Sequence, residues 1–453
     1  MTSPYHKLFV VFGNVVFAFN VAACGASSST ATPDAASVAD ASSGNDAVAG
    51  CAAGAAGVAC VFALYDRVNA ACSPAGVALL RSELEQRAPL GPLWLDGIAL
   101  FRTSAARAIA GEFNNWSTTA LTTSSFCNSD LFLARAPVAA GYWQYKVVDA
   151  AASGATAWQL DGNNPAFAYD GFAGNADGRN SVLNTPGSGR GHLVNLGTLA
   201  STTLGNTRNL TGYLPPDYNA PANATRTYPA LLMHDGQNIF DDTDCCFGHT
   251  GWEVNLTLDR EIAARRVAPV VVVAADHADA ARRDEYGFSV SVGGKIETFI
   301  AFFVDNFMPR AAQLVRIDPA RRFVAGSSLG GLVSMRIALA HPDLFAGAGS
   351  FSGAFWPGQD TNTALRNVLP AAGKKPFGIY LDHGGAVADD SDGAVDSIEV
   401  RDQMVALGWQ QQPSPQCTLS TSSLCYHHEV GATHDELAWR GRAWRMLRYF
   451  FPA

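Results

Sequence analysis

Charge is scarce in this chain. Asp, Glu, Lys and Arg make up 16% of its 453 residues, against about 25% in an ordinary soluble domain. The 31 Lys and Arg are outnumbered by 40 Asp and Glu, leaving a formal net charge of −9. A protein that neutralises phosphates needs a basic face, so nucleic acid is excluded as a general partner. Metal-ligand spacing is missing as well: the nine cysteines form no CxxC pair and no zinc-type His spacing accompanies them. Residues 8–23 (LFVVFGNVVFAFNVAA) carry no charge, yet as a helix they reach only about 24 Å, short of a bilayer core. Residues 25–59 hold no aromatic residue and no Lys or Arg, only mostly Ala, Ser, Gly, Thr and Asp. Such a stretch buries too little apolar surface to offset its chain entropy and predicts a flexible linker.

The length is a prior of two or three domains with ample core. Residues 1–23 have the build of an export signal, a basic start followed by a short apolar segment. Val21-Ala22-Ala23-Cys24 resembles the lipobox of bacterial lipoproteins. That resemblance implies an acylated Cys24 as the mature N-terminus and a membrane partner through the lipid; the lipidated Cys and the linker together take up 24–59. Gly25 in place of Asp implies release from the inner membrane. An ordinary cleaved signal with a chance Cys is the other reading. Both put the protein outside the cytoplasm, lipid-anchored at the envelope (outer membrane or surface) or secreted. Eight cysteines remain: Cys51, Cys60, Cys72, Cys127, Cys245, Cys246, Cys417 and Cys425. An even number in an oxidising compartment predicts disulfides, in any of 105 pairings. Cys417 and Cys425, flanking the polar TLSTSSL, are the best single pair.

Ser73 as N-cap and Pro74 at the first helical position open VALLRSELEQRA, which Pro89 and Gly91 end, a short helical preface over 60–90. From Gly97 to Leu183 short alternating runs broken by Asn, Gly, Ser and Asp predict a small antiparallel β domain over 91–188. Within it AIAGEFNNW, GYWQYKVVDA, AWQLDGNNP and DGRNSVL follow one another. In that order they resemble the glycogen- and starch-binding module of the family-48 type. The resemblance implies an immunoglobulin-like all-β sandwich with a glucan ligand, held by Trp116, Lys146, Trp158 and Asn180. A packing partner for the enzyme is the alternative. AASGA, inserted before Trp158, departs from the family pattern.

Residues 190–453 alternate strand-like and helix-like segments, which predicts a mostly parallel sheet flanked by helices. Between the strand RRFVAG and the helix LGGLVSMRIAL stands Gly326-Ser327-Ser328-Leu329-Gly330. A G-x-S-x-G in that context is the nucleophile elbow of an α/β-hydrolase. A Ser hydroxyl needs a base and the base needs a carboxylate, in the chain order Ser, acid, His. His434, in the loop before the last helix, suits the base. His427 and His428, inside a strand, read as structural, and His341 as a helix terminus. Asp382, Asp389, Asp390, Asp392 and Asp396 are candidate acids; Asp392, just before a helix, is preferred and Asp390 is second. Ser328, His434 and Asp392 are thus the expected catalytic set, with no metal or organic cofactor required.

MHDGQNIFD, GSSLGG, SFSGAFWP and GATHDELAWRGR resemble the esterase D superfamily, which holds the carbohydrate esterase family 1 enzymes, enterochelin esterases and mycolyltransferases. The resemblance implies an oxyanion hole from the backbone amides of Leu329 and of Gly236 or Gln237. It also implies a cleft lined by Glu285 and Tyr286 of the ARRDEYGF segment, with Trp252 and Trp356 as apolar walls. The expectation is therefore an α/β-hydrolase preceded by a β sandwich, an exported serine esterase. Its substrate would be an ester, carried on a carbohydrate of the feruloylated or acetylated kind. A siderophore esterase, using Arg282, Arg283 and Lys295, and a mycolyl-type acyltransferase are the enzyme alternatives. A glycan-binding lipoprotein with an inert hydrolase domain is the non-enzymatic one.

Overall fold

The computed structural model describes residues 51, 57–87, 91–169, 178–240, 250–287, 294–356 and 365–453. The export signal, Cys24, most of the expected linker, Cys245 and Cys246 lie outside the described residues. Residues 58 and 59, expected to belong to the linker, are helical. Helix α1 (Val58–Ala71) begins before residue 60 because Val61, Phe62, Leu64 and Val68 give it an apolar face, which packs with Val77, Leu80 and Leu84. Those residues belong to helix α2 (Pro74–Gln86), where Ser73 caps the Gly76 N–H at 3.2 Å and Pro74 opens the first turn. Disulfides join Cys51 to Cys60 and Cys72 to Cys127, so a disulfide cysteine stands at each end of α1.

Strands β1 (Leu93–Leu95), β2 (Ile98–Thr103), β4 (Ser124–Ser125) and β5 (Phe132–Pro137) form one antiparallel sheet in the order β1-β2-β5-β4. Strands β3 (Ala108–Gly111), β6 (Tyr142–Val148), β7 (Trp158–Gln159), β8 (Ala166–Tyr169) and β9 (Arg179–Asn184) face it. Alternate residues of the two layers, Phe101 and Ala134 against Ile109, Tyr145, Val147 and Leu183, make a shared core. This second layer does not close on itself. β8 pairs with β10 (His192–Ser201) through Val194 and Ala166, so the sheet continues into the rest of the chain. The expected boundary between 188 and 190 is therefore not a gap between sheets: the pairing stays antiparallel across it.

The large sheet runs β17-β18-β16-β15-β14-β12-β13-β11-β10 and onward into β8, β9, β6 and β3. Its strands are β11 (Asn206–Leu214), β12 (Tyr228–Met233), β13 (Val271–Ala275), β14 (Ile317–Ser327), β15 (Gly347–Phe351), β16 (Gly378–His383), β17 (Gln410–Pro413) and β18 (Ser423–His428). From β13 to β17 every pairing is parallel. Strands buried on both faces read as continuous apolar runs, and β12 and β13 are buried at every position. Ala230, Leu232, Val271 and Val273 face one core and Leu231, Met233, Val272 and Ala274 the other. The first is covered by α6 (Ile296–Phe302), a π turn over Phe303–Phe307, α7 (Met308–Leu314), α8 (Leu329–Ala340), α9 (Leu365–Ala372) and α10 (Ala394–Ala406). The second lies under α4 (Val254–Ala263) and α11 (Glu436–Phe450). Short helices α3 (Gly236–Ile239) and α5 (Arg282–Tyr286) follow β12 and β13. Ligand sites of such sheets lie past the carboxyl ends of the strands, and the expected catalytic residues all sit there.

Candidate active site

Ser328 stands between the last residue of β14 and the first of α8, at φ 55° and ψ −124°, a conformation that L-residues with side chains rarely hold. Two glycines make the turn possible. A Cβ on Gly326 would lie 2.8 Å from the Gly330 carbonyl carbon, and one on Gly330 2.9 Å from Asp235 Oδ2. The backbone is pinned on both sides: Ser328 N–H donates to Phe351 O at 2.9 Å, and Ala354 N–H to Ser328 O at 3.0 Å. Leu329 opens α8, where first-turn amides have no acceptor inside the helix and the dipole favours negative charge.

His434 lies in the loop after β18. Its Nδ1 is 2.5 Å from Asp392 Oδ1, and its ring sits edge-on against Trp439 at 5.1 Å. With Nδ1 engaged, Nε2 is the ring nitrogen left for a substrate or for Ser328. Asp392 sits in the turn Ser391–Gly393 at φ 55°. Its side chain is 2% exposed against 39% for His434, so solvent reaches the base and not the acid. Burial pushes the Asp392 carboxyl up, but hydrogen bonds from His434 and Ser352, the imidazole charge and the Gly384 N–H outweigh it and hold it below its ordinary value. The other candidate acids have separate duties. Asp390 accepts from Val395 N–H at 2.8 Å at the start of α10, Asp389 accepts from Ser391 N–H, Asp396 pairs with Arg366 at 3.1 Å, and Asp382 pairs with Arg442 inside the core.

Gly236 opens α3 beyond β12. A Cβ there would meet Ala275 C and Asp276 N at 2.9 Å, so only glycine lets this turn press against the end of β13. Before it Asp235, at φ 61°, is gripped by Arg282 through two bonds of 2.7 and 2.8 Å. Burial opposes the Asp235 charge, yet Arg282 keeps the carboxyl below its ordinary value. Asp235 also lies against Gly330, so the turn carrying Gly236 and Gln237 packs beside the elbow carrying Leu329. The Gln237 side chain accepts from His277 N–H at 3.0 Å.

The expected cleft walls separate into two groups. Trp356 is 53% exposed, two residues beyond the Ala354 amide that binds Ser328. Trp252 is not a wall: it is fully buried, 4.8 Å from Phe351 and 5.5 Å from Trp439. Glu285 and Tyr286 are likewise core residues, each 1% exposed. The Glu285 carboxylate needs a counterion in the interior and finds Arg208, with Asn206 Nδ2 at 2.6 Å. Tyr286 packs 4.7 Å from Phe299. His428 is bonded to Gly385 O at 3.1 Å and stacked on His383, and His427 faces Glu429 at 3.7 Å. Ser352 and Arg442, which no sequence argument singled out, touch or support the acid; SFSG and the ELAWRGR helix pattern were their only signal.

On the β layer Trp116 and Trp158 come together despite the insertion, ring centroids 6.4 Å apart, over Ala108, Ala110, Val148 and Ala157. Lys146 and Asn180 depart from expectation. They are 3% and 6% exposed, with Lys146 Nζ bonded to Arg179 O and Asn180 Nδ2 to Gln144 Oε1 at 2.9 Å, so their polar ends are spent within the protein.

A model of the family described as "Putative esterase" matches residues 201–450. The uncharacterized protein YbbA of Bacillus subtilis (strain 168) is 28% identical over 171 residues, 35% of this chain and 62% of that protein. The chain thus spans less than two thirds of that relative's length. Among solved structures, a ferulic acid esterase is 19% identical and covers 58% of this chain and 98% of its own, with a TM-score of 0.44. The enterobactin esterase FES of Shigella flexneri is 16% identical over 80% of this chain and 96% of its own, TM-score 0.44. The BES protein of Bacillus cereus is 17% identical over 56% of this chain and 94% of its own, TM-score 0.43.

Proposed function

Because the chain belongs to the esterase family whose model matches residues 201–450, we propose that it is an exported serine carboxylic-ester hydrolase acting on acylated carbohydrate. The observation that carries the chemistry is the pairing of His434 Nδ1 with Asp392 at 2.5 Å, taken with a serine held in the strained elbow. In this mechanism Ser328 attacks the ester carbonyl and His434 Nε2 takes its proton. Asp392 stabilises the resulting imidazolium. The oxyanion is held by the Leu329 amide and by that of Gly236 or Gln237. The imidazolium protonates the leaving alcohol, and water then releases the acyl group by the reverse sequence. Trp356 is the apolar wall offered to the acyl group.

Three disulfides among the described residues support a compartment outside the cytoplasm, and Cys24 is the proposed lipid anchor. Paired Trp116 and Trp158 suit the apolar face of a pyranose; they are the proposed glucan contact, without Lys146 and Asn180. A siderophore triester would want uncommitted basic groups, and Arg282 is already neutralised by Asp235, which favours the neutral sugar ester. The test is turnover of p-nitrophenyl acetate, feruloylated and acetylated sugars, and a catecholate triester by the same preparation. Hydrolysis of the sugar esters, lost in Ser328→Ala, is the expected result. Preference for the triester would overturn the substrate class, and turnover by Ser328→Ala would overturn the triad.

A further inference from the structure

Beneath Asp392 lies a polar group that the mechanism does not use. Ser352, just past β15, is fully buried at φ 44°, its N–H donating to Asp382 O at 2.8 Å. Its Oγ meets three partners: Trp439 Nε1 at 3.0 Å, a terminal nitrogen of Arg442 at 3.0 Å, and Asp392 Oδ2 at 2.6 Å. An indole N–H and a guanidinium can only donate, and a hydroxyl has two acceptor lone pairs and one proton. Both lone pairs are therefore filled, and the single proton is left for Asp392. The direction of this hydrogen bond is forced by the two donors behind it.

We propose that Ser352, aimed by Trp439 and Arg442, is a positioning residue for the triad acid: it holds Asp392 Oδ2 so that Oδ1 faces His434. This rests on the triad reading above. The Gly384 N–H binds the same Oδ2, so one carboxylate oxygen takes two donors from the scaffold and the other is left to the imidazole. Arg442 is itself anchored, its Nε 3.2 Å from Asp382 Oδ2, which also accepts from the Tyr380 hydroxyl at 2.8 Å. A buried ion pair contributes little net stability over an apolar replacement; here its charge strengthens the donor that orients Ser352. Trp439 acts at both ends, donating to Ser352 and bracing the His434 ring.

The experiment compares full-length Ser352→Ala, Trp439→Phe, Ser328→Ala and the parent. It follows kcat and KM for p-nitrophenyl acetate and the far-downfield proton NMR signal of the His434–Asp392 hydrogen bond. Misplacement of a catalytic group by about 1 Å can cost about 10²-fold, so Ser352→Ala should lose kcat on that order, keep KM, and weaken or shift the signal. Trp439→Phe, which leaves the Ser352 hydroxyl donating to Asp392, should lose less. Unchanged kcat and an unchanged signal in Ser352→Ala overturn the proposal. Should that variant not fold, Ser352→Cys, a weak donor of similar size, takes its place: kcat should fall and the signal weaken or shift, and no change in either overturns the proposal equally. Ser328→Ala separates the two ideas: it should lose turnover and keep the signal, and activity there overturns the triad itself.

Discussion

Two glycines and one serine decide whether this site exists. Gly326 and Gly330 pack backbone to backbone so that Ser328 can hold φ 55°, and a methyl on Gly330 would enter the Asp235 carboxylate. Gly330→Ala should therefore cost turnover of ester substrates while the far-UV circular dichroism of the fold persists. At Asp392, replacement by Asn keeps the shape and removes the charge that fixes the imidazole tautomer. A triad of this type loses about 10⁴-fold in kcat on such a change, and steady-state kinetics of Asp392→Asn should show a loss of that order with little change in KM. The G-x-S-x-G was legible because its spacing is local. The choice among five aspartates was only partly so, since Asp390 and Asp392 differ by which way the turn Ser391–Gly393 points, and that direction is set by the Gly384 amide just past β16 and by Ser352 just past β15.

Elements were legible where periodicity and caps are strong. α8 coincides with LGGLVSMRIAL, and α2 starts at the expected Ser73 cap. Removing that cap in Ser73→Ala should lower stability by about 1 kcal/mol, measured by urea denaturation. β17 carries no such signal, because Gln410–Pro413 has no apolar alternation; it is an edge strand whose partner β18 supplies the order. The disulfide between Cys72 and Cys127 links the end of α1 to the β layer across 55 residues. On the chain-entropy account a loop of that length is worth about 4 kcal/mol, so Cys72→Ser should lower the denaturant midpoint clearly. Loss of Cys417–Cys425, which closes only 8 residues, should cost less by the same logic.

At the scale of the whole molecule, one sheet runs from the Trp116 face to the edge strand β17, and α4 and α11 are fastened across its back. Glu261 of α4 is 2% exposed and accepts from Arg266 at 2.8 Å and from Arg448 of α11 at 2.7 Å. Burial raises its carboxyl, but the two arginines outweigh that and bring it from 4.5 down to about 2. A carboxylate depressed in the folded state contributes stability that is present above its ordinary value and is lost as pH falls through the folded one. Thermal midpoints should therefore fall between pH 4.5 and about 2, and Glu261→Gln should flatten that slope while lowering the midpoint near neutral pH. An equal slope in the variant would refute the assignment.

The sequence by itself determined the parts whose information is local: the α/β alternation, the elbow, the cap at Ser73 and the helix that follows it. It also determined the excess of acid over base. The tertiary structure alone decided the partnerships between residues far apart in the chain. It turned Trp252, Glu285 and Tyr286 inward, because Arg208 and the rings of Phe351 and Phe299 offered them better company than solvent. It spent Lys146 and Asn180 on neighbouring strands, and it continued the β layer into the large sheet through Val194 and Ala166. Hydrogen-bond direction and burial depend on which strands become neighbours, and a linear pattern of residue types does not carry that information.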